Sequence, residues 1–275
     1  LLQPGKSNYS QPRIFAAAEF NAKLKLAKLR LLKMHFEASS GHLGGNFSCI
    51  DVLMTLYHLV LKSDDRFILS KGHSAGALYV ALWSVGKLKD AELDTFSKDN
   101  TLLPGHPGGS GIPDLLFATG SLGHGPPLAA GLAMAARHRD ADRHIYCLCS
   151  DGEWQEGSCW EALTFSVHHK LSNLTIIIDQ NGMQGFGRTE DIISCSDLTA
   201  RIASFGARVQ RCDGHNCSEI HQLLSDKSYG SPNVLLLDTI KGNGLHFAGK
   251  MESHYLPLSL EQYLAACAKI NGEDF

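Results

Sequence analysis

The 275-residue chain has no apolar run approaching the length of a membrane span, so no bilayer-crossing helix and no membrane association are expected. It also has no block of Lys and Arg. With 25 basic against 28 acidic side chains and a formal net charge of −3, a nucleic-acid-binding surface is not expected either. None of its eight cysteines forms a Cys-x-x-Cys pair, and Cys147 and Cys149 merely alternate along one apolar run. That usage fits reduced thiols in a cytoplasmic chain better than a disulfide framework. Leu1 to Gln11 lacks the charged and apolar pattern of a secretory leader. Linker-like and low-complexity stretches are missing as well, which favours one large α/β unit over a string of small ones.

Histidine, by contrast, is plentiful, at fourteen residues. Their placement is organised by the stretch from Tyr146 to Gln184. An apolar run (Tyr146 to Cys149) leads into Ser150-Asp151-Gly152-Glu153, and then into Gln155-Glu156-Gly157. A helical segment is expected over Trp160 to Leu171. A second apolar run, Leu174 to Ile178, ends in Asp179-Gln180-Asn181-Gly182-Met183. Two buried-type strands joined by one helix read as a right-handed crossover with both strand ends on one edge of a parallel sheet. Open α/β sheets bind ligands at that edge. Asp151 and Asn181 would offer a carboxylate and an amide oxygen there. Hard oxygen donors suit Mg²⁺ or Ca²⁺, and Mg²⁺ often completes its shell with phosphate oxygens and water. Gly152 would let the backbone approach a diphosphate closely.

The rest of the chain alternates in the same manner. A basic amphipathic helix is expected over Phe15 to Ala38, then a flexible turn through Ser39 to Gly45 carrying His42. The next helix (Val52 to Leu61) would start from Ser48 or Asp51. Arg66 to Ser70 reads as a strand opening into Lys71-Gly72-His73-Ser74-Ala75-Gly76 and a helix over Leu78 to Val85, and Asp90 to Phe96 as a short surface helix. Pro104 to Gly111 cannot be helix or central strand, so His106 is a third histidine on a Gly/Pro loop. A core histidine normally sits in a periodic apolar element, and His42, His73 and His106 do not. Thr119 to Gly125 is another Gly-rich loop, opening a small-residue helix over Leu128 to Ala136. Its Gly-x-x-Gly-x-Gly spacing lacks the preceding strand of a dinucleotide site. Further on, a helix (Asp197 to Phe205), a strand (Gly206 to Cys212), a helix through Leu224, a strand (Asn233 to Leu237) and a last helix (Leu260 to Ile270) complete the series. The expected fold class is α/β, doubly wound, with a mostly parallel sheet flanked by helices.

Ser40-Gly41-His42, Ser70-Lys71-Gly72-His73, Pro104-Gly105-His106-Pro107, Thr119-Gly120-Ser121-Leu122-Gly123, Asp151-Gly152 with Asn181, and His254 stand in a telling order. From His35 to Leu258 the chain resembles the N-terminal, diphosphate-binding domain of transketolases. Leu122-Gly123-His124-Gly125 and His254-Tyr255 look most like transketolases split across two genes. The family's metal motif begins Gly-Asp-Gly where this chain has Ser150-Asp151-Gly152. A serine fits that turn if its φ is ordinary, so a small backbone adjustment is expected, with metal binding retained.

The resemblance implies thiamine diphosphate as cofactor and a metal held by Asp151, Asn181 and the Met183 carbonyl. It places Gly152 on the diphosphate, His73 and His254 near it, and Gly120, Ser121 and Leu122 by the aminopyrimidine. Glu153, Glu156 and Asn181 join the cofactor-binding set. Glu156 and Glu161 resemble acidic residues that face the partner's site across a subunit interface. His42, His73, His106 and His254 would line the pocket around the reacting carbon, where neutral imidazoles exchange protons with sugar hydroxyls near pH 7. His246 competes with His254 for its place, and Glu252-Ser253-His254 matches the family better.

In that family a second domain grips the aminopyrimidine, supplies the activating glutamate and carries the arginines for a sugar phosphate. Residues 1–275 hold no such domain. The resemblance therefore implies a single diphosphate-binding domain acting with a C-terminal transketolase subunit, in a heterotetramer with two copies of each. A truncated longer enzyme is the alternative, with the polar tail at Leu260 to Phe275 favouring a natural terminus. The expected activity is transfer of a two-carbon ketol unit from a ketose, or ketose phosphate, to an aldose. A second reading is a thiamine diphosphate ligase or decarboxylase acting on pyruvate or another 2-oxo acid. A third is a stabilising subunit with no catalytic role. The histidine set favours polyhydroxylated substrates, and the intact Asp151, Gly152 and Asn181 speak against the third reading.

Overall fold

The computed structural model describes residues 17–109, 111–194 and 197–273. The lead-in at Leu1 to Gln11 and the start of the first helix at Phe15 lie outside them. The strands among the described residues are β1 (Arg66–Leu69), β2 (Ile145–Ser150), β3 (Leu174–Gln180), the short pair β4 (Met183–Gln184) and β5 (Gly187–Arg188), β6 (Arg208–Asp213) and β7 (Asn233–Asp238), with β2, β3 and β7 the apolar runs. The main sheet has the order β1-β2-β3-β7-β6, and every neighbouring pair in it is parallel. β4 and β5 form a separate antiparallel ribbon.

A parallel sheet needs cover on both faces, which is why its central strands read as unbroken apolar runs. Side chains alternate accordingly. Tyr146, Leu148, Ile177, Leu235 and Leu237 pack on one side with α1 (Ala17–Glu37), α2 (Leu43–Thr55) and α3 (Ala75–Ser84). Cys147, Cys149, Ile176, Ile178, Val234 and Leu236 pack on the other, against Ala129, Ala130 and Ala133 and against Cys159 and Leu163. Those residues belong to α5 (Gly125–His138) and α6 (Gly157–His168); the intervening α4 is the single turn Asp90–Leu93. The small face of α5 thus packs on the sheet. Each fully buried aliphatic side chain here contributes about 1.5–3 kcal/mol. The remaining helices are α7 (Thr189–Ile192), α8 (Leu198–Ser204), α9 (Cys217–Ser225), α10 (Glu252–Tyr255) and α11 (Leu260–Asn271). No helix among the described residues is long and apolar enough to cross a membrane, and the seven described cysteines are free thiols.

Two helices depart from expectation in a way that matters for the site. α6 begins at Gly157 rather than Trp160 and ends at His168. α2 begins at Leu43, so Gly44 and Gly45 lie inside a helix instead of a flexible turn, and a π-helical turn at Leu56–Val60 extends it. Intrinsic propensity disfavours that start, and tertiary contact overrides it. A Cβ on Gly44 would lie 2.5 Å from Ser253 Oγ, so only glycine lets α2 approach the segment that carries His254. Asn46 secures the same end of α2. Its amide donates to the His42 carbonyl at 2.9 Å and to the His73 carbonyl at 3.3 Å, and its oxygen accepts from Ala77 N–H at 2.7 Å.

Gly44→Ala should therefore lower the unfolding free energy by about 1–3 kcal/mol, the usual cost of overpacking. Urea titration of the purified chain checks this, and a loss below about 0.5 kcal/mol would mean that the α2–Ser253 approach is not tight.

Candidate functional site

The ends of β2 and β3 lie side by side, Ser150 in register with Asp179. Ser150 is an ordinary strand residue with no positive φ, so the serine fits the turn as expected. Immediately beyond it, the buried Asp151 accepts from Gly152 N–H and Gly182 N–H, each at 2.8 Å, and from Thr189 Oγ at 3.0 Å. All three donors are neutral, and Asp151 enters no ion pair among the described residues. Burial first, and then the Asp179 charge, push its carboxyl up. A buried carboxylate in that position is stabilised by a cation. Asn181 and Met183 follow the end of β3, the Asn181 Oδ1 accepting from Met183 N–H at 3.1 Å. A cavity of about 300 Å³ opens beside them, lined by Asp151, Asn181, Gly182, Thr189 and Thr239 among others.

Beneath these residues lies a fully buried ion pair. Lys71 Nζ donates to Asp179 and, at 3.1 Å, to the Gly45 carbonyl. Asp179 also accepts from Ser48 Oγ at 2.6 Å, Asn181 Nδ2 at 3.3 Å and Thr239 Oγ1. Burial alone would raise the Asp179 carboxyl, but the Lys71 charge and these hydrogen bonds hold it below the usual range. Burial likewise disfavours the Lys71 ammonium, and Asp179 outweighs it.

The four predicted histidines do come together. The His42 ring lies 4.8 Å from His254, 5.7 Å from His73 and 6.0 Å from His106, and His73 is 6.3 Å from His254. His42 sits just before α2 with φ of 60°, held by its N–H on the His254 carbonyl at 2.8 Å. Such a conformation in a non-glycine residue is strained and persists where surroundings enforce it. His246 meets the Phe247 ring edge-on, outside the cluster. All four imidazoles are driven towards neutrality. Burial lowers His106; burial, then His106 and Lys241, lower His42; burial and Lys71 take His73 well down; burial, then Lys241 and His42, bring His254 to about 4.

Lys241 joins the two halves of the site and was not among the residues singled out from sequence. Its buried ammonium donates to the Met183 carbonyl at 3.3 Å and to His254 Nδ1 at 2.8 Å. An ammonium cannot accept, so His254 carries its ring proton on Nε2. Burial and the Lys71 charge lower Lys241 to about 8. Gln184 was missed too. Its side chain covers the Cα of Gly152, and among the described residues neither its buried Nε2 nor Thr119 Oγ1 has a hydrogen-bond partner. Both are free to donate to an anion. Hard oxygen ligands, an uncompensated carboxylate and the orphaned Gln184 donor beside Gly152 fit a divalent ion with a diphosphate.

The Gly120-Ser121-Leu122 loop passes His106, a Cβ on Gly120 coming within 3.2 Å of that ring. Glu156 and Glu161 are exposed. Glu153 was expected among the cofactor contacts; it is instead fully buried, and both its oxygens bond within the protein.

The family model described as transketolase, thiamine diphosphate binding domain, matches residues 22–272, and the chain belongs to that family. It is 36% identical over 249 residues to one subunit of the apulose-4-phosphate transketolase from Actinobacillus succinogenes, covering 86% of this chain and 90% of that one. A 6-deoxy-6-sulfo-D-fructose transketolase subunit of a Clostridium species is 38% identical over 245 residues, 85% of this chain and 89% of the relative. The Campylobacter jejuni transketolase structure superposes with a TM-score of 0.86 at 29% identity, over 94% of this chain but 44% of that one. The chain thus spans less than half of the solved transketolase it matches and nearly all of the two subunits.

Two outcomes are expected. Lys71→Met leaves Asp179 buried and unpaired and should lower the unfolding free energy by about 3–5 kcal/mol, whereas a loss below 1 kcal/mol would contradict the pair's role. His254, near 4 when folded and 6.5 when unfolded, binds fewer protons in the folded chain between those values. Its contribution is thus lost as pH falls from about 6.5 towards 4. Urea midpoints measured across that window should fall less steeply for His254→Asn than for the parent chain, and parallel slopes would show that His254 titrates normally.

Proposed function

We propose that this chain is the diphosphate-binding subunit of a two-component, thiamine diphosphate-dependent transketolase in the cytoplasm. It would form one domain, pair with a subunit carrying the pyrimidine-binding domain in an α2β2 assembly, and transfer a two-carbon ketol unit from a ketose or ketose phosphate to an aldose. The observation that supports this most is the four clustered neutral histidines beside an oxygen-donor set at adjacent strand ends. Relatives named as transketolase subunits of similar length support the division into two chains.

In this reading Asp151, Asn181 and the Met183 carbonyl hold Mg²⁺, or Ca²⁺ in its place. Gly152 and Gln184 lie against the diphosphate, with His73, His254 and Lys241 beside it. Bound thiamine diphosphate supplies the electron sink for cleaving and forming the carbon–carbon bond. Gly120, Ser121 and Leu122 border the aminopyrimidine. Around the reacting carbon the protein's work is proton handling. Neutral His42, His73 and His106 accept from a sugar hydroxyl or donate to an alkoxide, and His254, its tautomer fixed by Lys241, donates from Nε2. Exposed Glu156 and Glu161 are positioned to meet the partner chain.

A titration with thiamine diphosphate and Mg²⁺, with and without the co-expressed partner subunit, tests the assignment. Metal-dependent binding that is much tighter in the complex, lost in Asp151→Asn, and turnover of a ketose phosphate but not pyruvate are expected. Turnover of pyruvate instead would move the enzyme to the 2-oxo-acid class. Absence of binding in a folded, associated complex would leave a stabilising subunit.

A further inference from the structure

Glu153 is the carboxylate for which the proposed chemistry has no use, yet it is among the most fully enclosed in the molecule, with no exposed surface. It has no ion-pair partner among the described residues. Its Oε1 accepts from Ser70 Oγ and from Gly123 N–H at 2.8 Å, and its Oε2 from Ser150 N–H at 3.2 Å. Ser70 Oγ in turn accepts from Gly125 N–H at 3.1 Å. These donors come from three separate segments. Ser70 follows directly on β1, just before Lys71 and His73. Gly123 and Gly125 belong to the loop that opens α5. Ser150 closes β2 just before Asp151. On its other side Gly123 is fixed by Ser158 Oγ, which donates to its carbonyl at 2.7 Å.

We propose that Glu153 is a positioning residue: its buried carboxylate sets the Gly120–Gly123 loop against the strand ends bearing Lys71 and Asp151, and so shapes the cofactor cleft without touching the cofactor. This rests on the function proposed above. A carboxylate is required because both of its oxygens must accept. Two of the three donors are backbone N–H groups that cannot turn away. The serine hydroxyl can reverse, but a glutamine at 153 must aim its amide N–H₂ at either Gly123 N–H or Ser150 N–H.

The test uses the complex of this chain with its partner subunit, comparing the parent with Glu153→Gln and Ser158→Ala, the latter loosening Gly123 from the side away from Glu153 without disturbing the buried charge. Far-ultraviolet circular dichroism reports folding. Thiamine diphosphate affinity is measured at fixed Mg²⁺, and the donor KM at saturating cofactor. Glu153→Gln should weaken cofactor binding by about 10- to 100-fold, the size of one lost charge-assisted hydrogen bond, and Ser158→Ala by about 3- to 10-fold, with the donor KM unchanged in both. A folded Glu153→Gln complex with parental cofactor affinity overturns the assignment and leaves Glu153 as a stability element. Should Glu153→Gln not fold, parental affinity in Ser158→Ala overturns it equally. Failure of the parent complex to bind the cofactor would sink the functional reading itself, whereas binding by the parent with no change in either variant sinks only the role of Glu153.

Discussion

The buried pair of Lys71 and Asp179 is the constraint on which the rest of the site depends. Two charges removed from water are costly unless every remaining lone pair and proton finds a partner. Here the partners come from Gly45 and Ser48 of α2, from Asn181 at the end of β3 and from Thr239 just past β7. Satisfying one ion pair therefore draws four segments to the carboxyl edge of the sheet. Asn181 is oriented by Asp179, and Asp151 is made a less comfortable anion by the same neighbour. The pair thus keeps one carboxylate neutralised and leaves the adjacent one in need of a cation.

The histidines follow from the same electrostatics. Lys71 and Lys241 add positive potential to a partly buried pocket, so imidazolium is disfavoured there by burial and by neighbouring charge together. Neutral rings can both donate and accept, which suits proton exchange with hydroxyls and would be lost if the pocket held carboxylates in place of these lysines. Tyr255, whose hydroxyl donates to the Gly185 carbonyl, ties the histidine-bearing segment to the ribbon that contains Met183. The histidine cluster and the oxygen donors at the strand ends are consequently parts of one framework.

Much of this was legible in the amino-acid sequence, for identifiable reasons. β2, β3 and β7 are continuous apolar runs because a parallel sheet is covered on both faces, and Asp151 and Asn181 follow from where those runs stop. His42, His73 and His106 stood out because glycine and proline remove them from periodic elements. The start of α2 was hidden, since Leu43-Gly44-Gly45 becomes helical only through its contact with Ser253 and His73. The ribbon of β4 and β5 was hidden by its two-residue strands. Lys241 reads locally as an exposed lysine at the head of a glycine-rich loop, Lys241-Gly242-Asn243-Gly244. Only the pairing of β3 with β7 brings it to Met183 and His254. Glu153 carries a similar lesson, because acidic composition near a metal motif suggests ligand contact while burial turns the side chain inward.

The most direct measurement is a crystal structure of the assembled complex with thiamine diphosphate and Mn²⁺, using the metal's anomalous signal to locate it. The geometry at the strand ends predicts a single peak held by the Asp151 carboxylate, the Asn181 amide oxygen and the Met183 carbonyl, with Lys241 Nζ moved off that carbonyl. A cofactor bound with its metal away from Asp151 and Asn181 would contradict it.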